Sequence, residues 1–434
     1  MRLQIFASCA PGLESLLSDE VRGLLPADAA ATQPTDIEVT AGGVSFSGDL
    51  TTLGHALVGL GLAARVLLRL EAFSVRHLNE LEAKISAMDW RAWLSTTHPF
   101  RVRSTSKKSK LYHTGAIDQR VLRGVSRVLG MRQPVSAPTD SAAPDLDRSP
   151  DGEEMGVVGS AAETPEIVIR IERDHCVVSL DVSGTPLHRR GYRRYPFRAP
   201  LREDLARALV IVSGWKGQLP LWDPFCGSGT VLIEAALWIA AYPPGLLRSF
   251  ALEQTRLADP PTLQQIKADR WSWRDRLRPG VTAATDVADW RLVGVDVDGQ
   301  AIAAAQQNWA AWPWEWSPRD PADSADRLPP LSARRPTVEW VVSDIRHLPL
   351  PASPIAVVTN PPWGGRIGGG RDLLPLYQRL GAWRKQSGPQ GKLALVAHQR
   401  ELAYRTGVPL HSAFLTDAGG IKINALIESD PQVQ

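Results

Sequence analysis

The apolar run Leu3 to Ala7 reads as a strand, after which the period changes: Leu13, Leu16, Leu17, Val21 and Leu24 recur at helical spacing across Pro11 to Leu25. Ile37 to Val39 and Gly42 to Phe46 read as short strands, Leu50 to Gly61 as a Leu-rich helix, and Val66 to Phe73 as another strand. The order β-α-β-β-α-β predicts a small ferredoxin-like module. A helix is expected over Leu78 to Met88, with Trp90 and Trp93 just beyond it, then a strand over Pro99 to Ser104 and an amphipathic helix. Ile167 to Ile171 and Val177 to Val182 predict a hairpin, and Arg202 to Ser213 a helix. From there short apolar runs alternate with helical patterns, as in an open α/β sheet. The runs end at Trp222, Asp296, Asp344 and Thr359. The helix Val231 to Ala241 is apolar on nearly every side. Helix Leu373 to Trp383, strand Lys392 to Ala397 and a pair around Ser412 to Leu415 and Ile421 to Ile427 close the pattern.

Two stretches carry no period. Residues 132–165, rich in Pro, Ala, Ser, Asp and Gly, predict a flexible insertion, and residues 313–336, with many prolines and charges, a surface loop. At 434 residues the chain has room for two or three domains. Its net charge of +3 permits a nucleic-acid partner without establishing one, so the distribution of charge matters more. Lys107, Lys108, Lys110, Tyr112, His113, Arg120, Arg123 and Arg127 gather around one loop and helix. Such a set can contact RNA phosphates and riboses, or simply form a solvated helix face; on this stretch alone both readings stay open. The most basic run, His188-Arg-Arg-Gly-Tyr-Arg-Arg-Tyr195, contains Arg189, Arg190, Arg193 and Arg194 and lies just before the last domain. There it could hold RNA near an active site. Cys9, Cys176 and Cys226 are scattered without zinc spacing, so no metal is expected and a reducing cytosol fits. The start of the chain does not read as a signal peptide, and no segment is long and apolar enough to span a membrane. A cytoplasmic protein is expected.

Two stretches carry chemistry. Asp223-Pro-Phe-Cys-Gly-Ser-Gly-Thr230 lies between an apolar run and a buried helix, the strand, glycine turn and helix of a nucleotide-binding unit. Gly227 and Gly229 let the backbone approach a ligand. The three-glycine dinucleotide spacing is absent, which favours a cofactor without a diphosphate. Asn360-Pro-Pro-Trp-Gly364 follows the run ending at Thr359. Loops after strands of an open sheet can share one pocket. Asp296 ends a run at the place of a ribose ligand, with Asp298 as its competitor; Asp344 ends a third run and could accept from an adenine amino group. Each Asp, taken singly, could equally cap a helix.

The string Asp223, Pro224, Phe225, Cys226, Gly227, Ser228, Gly229, Thr230 resembles the S-adenosylmethionine loop of class I methyltransferases that modify amino groups. In that setting Asn-Pro-Pro-Trp acquires a role. The lone pair of an exocyclic base amine is delocalised into the ring. Acceptors at the Asn360 side chain and the Pro361 carbonyl, held in aim by the two prolines, favour the localised pair. Trp363 offers a face on which a flipped base can stack. The cofactor loop precedes the catalytic motif, unlike the permuted groups in which it follows.

Further residues extend the likeness. Phe6-Ala-Ser8 with Gly12-Leu-Glu14, Gly42-Gly-Val44 with Gly48-Asp49, Leu180-Asp181 with Ser183-Gly184, and Leu187-His188 with Arg190-Gly-Tyr-Arg193 resemble the N-terminal part of THUMP-domain RNA guanine-N2 methyltransferases. The likeness is to the bacterial large-subunit rRNA enzymes of that family and covers nearly the whole chain. It implies a ferredoxin-like domain (1–73), a THUMP RNA-binding domain (74–186) and a Rossmann-like S-adenosylmethionine-dependent methyltransferase domain (187–434). It also implies Asn360, Pro361, Pro362 and Trp363 around the target base, and Asp223, Pro224, Phe225, Cys226, Gly227, Gly229, Thr230, Asp296 and Asp344 around the cofactor. RNA contacts are expected from Lys107, Lys108, Lys110, Arg120, Arg123, Arg189, Arg190, Arg193 and Arg194. Trp363 stands where Tyr is usual, and residues 132–165 enlarge the middle domain. The alternatives are a tRNA enzyme with the same motif, a DNA adenine-N6 methyltransferase, and a non-catalytic RNA-binding assembly factor.

Overall fold

The computed structural model describes residues 1–24, 34–131, 163–195, 197, 200–240, 242–268, 290–314, 336–363 and 373–429. The expected flexible insertion and surface loop lie almost wholly outside them. The N-terminal module forms as predicted: β1 (Leu3–Cys9), α1 (Glu14–Arg22), β2 (Thr35–Thr40), β3 (Gly43–Gly48), α2 (Leu50–Gly59) and β4 (Ala63–Ser74). Asp49 starts α2 with a reciprocal cap: its carboxylate accepts from Thr52 N at 2.8 Å, and the Thr52 hydroxyl accepts from Asp49 N at 3.3 Å.

The next elements are α3 (Leu78–Ala87), β5 (Arg101–Lys107), α4 (Thr114–Leu129), β6 (Glu166–Glu172) and β7 (His175–Asp181). They do not build a separate sheet. One seven-stranded sheet runs in the order β2-β3-β1-β4-β7-β6-β5, and β4 is its hinge strand. Its first half pairs with β1, from Ala63 opposite Cys9 to Leu68 opposite Ile5; its second half continues along β7, ending with Ser74 opposite His175. The sheet is thus continuous across position 73. The β6–β7 turn places Arg173 (φ 50°) and Asp174 (φ 64°) in the left-handed region, as a two-residue hairpin turn requires.

The second seven-stranded sheet holds β8 (Leu221–Asp223), β9 (Arg291–Asp296), β10 (Thr337–Val342), β11 (Ala356–Thr359), β12 (Lys392–Ala397), β13 (Leu410–Ala418) and β14 (Ile421–Glu428) in the order β10-β9-β8-β11-β12-β14-β13. The first five lie parallel, and β14 runs antiparallel to both its neighbours. Helices α5 (Glu203–Val212), α6 (Thr230–Ile239), α7 (Pro260–Ala268), α8 (Gly299–Ala310), α9 (Leu374–Gln386) and α10 (Arg400–Tyr404) accompany it. Parallel strands covered on both faces need apolar residues on both. In β12, Ala394 and Val396 enter one core, while Leu393, Leu395 and Ala397 enter the other with Tyr377, Leu380 and Trp383 of α9. Strand order reverses between β8 and β11, so the loops after these two strands share the topological switch point.

Residues 242–268, between the glycine loop and β9, pack against the N-terminal half. Gly245 N donates to Val58 O at 2.8 Å, Leu252 N to Val182 O at 2.9 Å, and α7 lies on α2 with Ile266 against Gly54.

Candidate active site

The glycine loop is set by β8 and β9. Cys226 N donates to Val295 O (2.9 Å) and Gly229 N to Cys226 O (2.8 Å), which closes the turn that begins α6. Gly227 and Gly229 take φ of 51° and 85°. A Cβ on Gly227 would meet nothing within 4 Å, so its backbone borders open space; one on Gly229 would come within 2.8 Å of the Trp340 ring and 3.1 Å of Ala305. The first glycine leaves room for a ligand, and the second lets the loop lie on β10 and α8.

Asp223 is buried at the end of β8, accepting from the Thr359 hydroxyl at 2.6 Å and from Phe225 N at 3.2 Å. Burial pushes its carboxyl up to about 7 against those hydrogen bonds, and repulsion from Asp296 adds to the rise. Burial also pushes the Cys226 thiol well up, which fits a small packing residue and not a nucleophile. Thr230 begins α6 and receives Arg193 at 3.1 Å.

Asp296 accepts from Gly227 N at 3.0 Å and from Asp298 N at 2.9 Å, one bond to each oxygen. The remaining lone pairs stay beside the glycine loop. Desolvation raises its pKa, and those backbone donors oppose the shift. Asp298 caps α8 by accepting from Gln300 N at 2.9 Å. Geometry thus separates the two carboxylates, one beside the glycine loop and the other a helix cap. Asp344 follows β10 close to Asp296, since Ser343 N donates to Asp296 O at 2.9 Å. Arg346 holds both Asp344 oxygens, at 2.6 to 3.1 Å, and keeps the carboxyl below its usual range.

Asn360, Pro361, Pro362 and Trp363 follow β11 across the switch point from the glycine loop, tied to it through Thr359 and Asp223. Tyr377 of α9 donates its hydroxyl to Pro362 O at 3.2 Å, steadying the proline turn. Among the described residues the buried Asn360 Oδ1 and Trp363 Nε1 have no hydrogen-bond partner. A buried polar atom without a partner is costly, and a ligand is one way to satisfy it. Thr359 and Tyr377 were not singled out in the sequence. Thr359, a lone hydroxyl ending an apolar strand beside Asn360, carried a readable signal; Tyr377, one aromatic in a helix, carried none.

The basic residues divide. Lys107, Lys108, Lys110, Tyr112, His113, Arg123 and Arg127 are exposed, as are Arg189 and Arg194. Arg120 is half-buried and donates to Asn79 (2.8 Å) and Glu82 (3.0 Å). Glu82 also pairs with Arg127 at 2.8 Å and Arg123 at 3.7 Å. Arg190 and Arg193 correct the expectation of RNA contacts. Arg190 is fully buried, bonded to Leu187 O and Gly61 O and 3.5 Å from Glu234. Arg193 donates to Leu201 O at 2.7 Å and pairs with Glu203 at 3.4 Å in addition to Thr230. Both guanidinium groups fasten elements inside the protein because buried carboxylates face them there.

The strand order, the glycine loop after the first strand of the sheet and Asn-Pro-Pro-Trp after the fourth define a class I methyltransferase, whose methyl donor is S-adenosylmethionine. Residues 190–317 and 333–406 match the RMKL-like methyltransferase domain, and residues 4–67 match the RlmL ferredoxin-like domain. The chain thus carries a methyltransferase domain of the RMKL-like type behind a ferredoxin-like domain of the RlmL type. It is 29% identical over 435 residues to the ribosomal RNA large subunit methyltransferase K/L of Syntrophotalea carbinolica, an alignment covering 98% of this chain and 53% of that protein. The chain therefore spans about half the length of this curated relative. A possible methylase from Clostridium difficile 630 has the same fold (TM-score 0.75, 23% identity, all of both chains). So does SMU.472 complexed with SAH (TM-score 0.75, 22% identity, 100% of this chain and 99% of that one). Among the described residues no helix is long and apolar enough to cross a membrane, and no group of three or more side chains could hold a metal ion.

Proposed function

We propose that the protein methylates the exocyclic N2 amino group of a guanine in structured RNA, with 23S rRNA as the favoured substrate. The observation that carries this is the placement of Asn360 to Trp363 across the switch point from the glycine loop, with the Asn360 acceptor buried and free of protein partners among the described residues. When bound, S-adenosylmethionine supplies an electrophilic methyl group on sulfur. Gly227, with open space at its Cα, borders the cofactor, and Asp296 receives the ribose hydroxyls beside it. Asp344 faces the adenine end while sharing its oxygens with Arg346. Asn360 Oδ1 and the Pro361 carbonyl accept from the target amine and localise its lone pair, and Trp363 stacks on the base.

The N-terminal half supports RNA over DNA as the substrate. We read residues 74–186 as a THUMP domain, whose exposed Lys107, Lys108 and Lys110 meet phosphates. The name of the curated relative supports large-subunit rRNA; tRNA is the second reading, because the catalytic motif alone serves both. On this reading the protein works in the cytoplasm.

Labelled methyl transfer from S-adenosylmethionine to deproteinised 23S rRNA, tRNA and DNA tests the substrate; transfer to DNA alone would defeat it. Asn360→Ala tests the chemistry: kcat falls about 100-fold or more with cofactor affinity nearly kept, the loss typical of one preorganised electrostatic contact. Trp363→Tyr keeps most activity and Trp363→Ala does not. Near wild-type turnover in Asn360→Ala would remove the amine-activation role.

A further inference from the structure

The basic run before the catalytic domain does more than carry charge. Its last residues are sewn to the glycine loop through one buried side chain, Asn308 of α8. Asn308 Oδ1 accepts from Arg194 N and from Tyr195 N, both at 3.0 Å. Its Nδ2 donates to Tyr195 O at 2.9 Å and to Ser228 O, between the two loop glycines, at 3.2 Å. An amide side chain has two donors and two acceptor lone pairs, and here every one is used on backbone. Ala305, one turn earlier on α8, lies 3.1 Å from where a Cβ on Gly229 would stand, so the same helix face supports the loop by packing. Two neighbouring fasteners act alongside: Arg193 on Thr230 (3.1 Å) and the Tyr192 hydroxyl on Glu234 of α6 (3.0 Å). In this same segment the Arg189, Arg194 and Tyr195 side chains are exposed, Tyr195 to 47%.

One short segment therefore shows cationic and aromatic side chains to solvent while its backbone shares a buried amide with the cofactor loop. We infer that Asn308 is a positioning residue that couples the linker Arg194–Tyr195 to the glycine loop at Ser228, so that an RNA gripping Arg189 and Arg194 and a cofactor occupying the loop strengthen each other's binding. The inference rests on the methyltransferase reading above. Coupling of this kind is a free energy shared between two sites and is reciprocal. No other group is needed, because Asn308 touches both segments directly.

The test is calorimetric binding of S-adenosylhomocysteine to the full chain, with and without saturating deproteinised 23S rRNA. In the wild type, RNA tightens the binding about fivefold or more, the lower end of ordinary coupling. Asn308→Ser, which leaves the Ser228 and Tyr195 carbonyls and the two N–H groups without their shared partner, weakens S-adenosylhomocysteine alone about 10-fold and brings the ratio to one. Circular dichroism confirms that the variant is folded. Arg189→Ala/Arg194→Ala alters only exposed side chains, so it folds in any case. It keeps wild-type affinity without RNA and loses the ratio. A wild-type ratio of one, or a wild-type ratio retained in either variant, overturns the coupling while leaving the methyltransferase reading intact. No S-adenosylhomocysteine binding by the wild type would overturn both.

Discussion

The two basic segments look alike as sequence and are used in opposite ways. Around Lys107 to Arg127 most of the cations stand in water, and Glu82 gathers Arg120, Arg123 and Arg127. In His188 to Tyr195 the two middle arginines of four turn inward: Arg190 meets Glu234, and Arg193 meets Glu203 and Thr230. A cation is open to RNA only where no buried carboxylate draws it inward. Behind the second run wait three, Glu203, Asp204 and Glu234, all buried. Glu20 of α1 completes the group, accepting from Gly61 N and Leu62 N and lying 3.5 Å from Arg207. Arg190 and Arg193 are structure, while Arg189 and Arg194 of the same run, like Lys107, Lys108 and Lys110, stay exposed and are the cations we propose for RNA contact.

The sharpest way to break this contrast is Arg190→Met. It leaves buried Glu234 with Arg207, 3.8 Å away, as its cationic partner beside the Tyr192 hydroxyl, and stability falls by about 3–5 kcal/mol, as when one partner of a buried pair is removed. Chemical denaturation measures it, and a loss below about 1 kcal/mol would return Arg190 to the surface class. Replacing Lys107, Lys108 and Lys110 together by Ala gives the mirror result. The melting temperature holds, while RNA affinity drops about 30-fold near 0.1 M salt and its salt dependence flattens, because fewer counterions are released. Filter binding across a salt series reads both.

A smaller effect carries the same contrast to acids. Asp223 is buried and its carboxyl titrates near 7, whereas Arg346 keeps Asp344 ionised. A cationic cofactor favours the ionised form of Asp223, so affinity for S-adenosylmethionine rises with pH through this range, by about fivefold between pH 6 and 8. S-adenosylhomocysteine, which lacks the sulfonium charge, follows less steeply, and Asp223→Asn flattens both curves. Calorimetry at several pH values decides; a flat wild-type curve would mean the cofactor does not sense this carboxyl. The smallest effect belongs to Arg120→Ala. Glu82 keeps Arg123 and Arg127, so stability changes by about 0.5 kcal/mol.

Local pattern carried much of the fold. The period switch after Ala7 placed β1 and α1, and the apolar runs ending at Asp296 and Thr359 placed the strands that deliver Asp296 and Asn360. What stayed hidden depends on partners distant in sequence. Nothing near Arg190 announces that Glu234 will face it, and Asn308 sits in a helix of Ala and Gln with no mark of its four backbone partners. Nearness to the strand favours Asp296 over Asp298 in the sequence, but the hydrogen bond from Gly227 to the first and the helix-capping role of the second appear only in the structure. The packing of residues 242–268 onto α2 was likewise closed to sequence, because a helix face names its polarity and not its neighbour.

The hinge strand β4 also sets a timetable for synthesis. Its first half can pair with β1 as soon as it leaves the ribosome, but the partner of Ser74 is His175 in β7. At about 5–20 residues per second, the second edge of β4 stays unpaired for roughly 5–20 s while the chain between is made. An unpaired edge is a template for wrong strands. On the stretch of β4 that must wait, Arg69 and Glu71 interrupt the apolar run, charges of the kind that discourage a stranger from joining before β7 arrives.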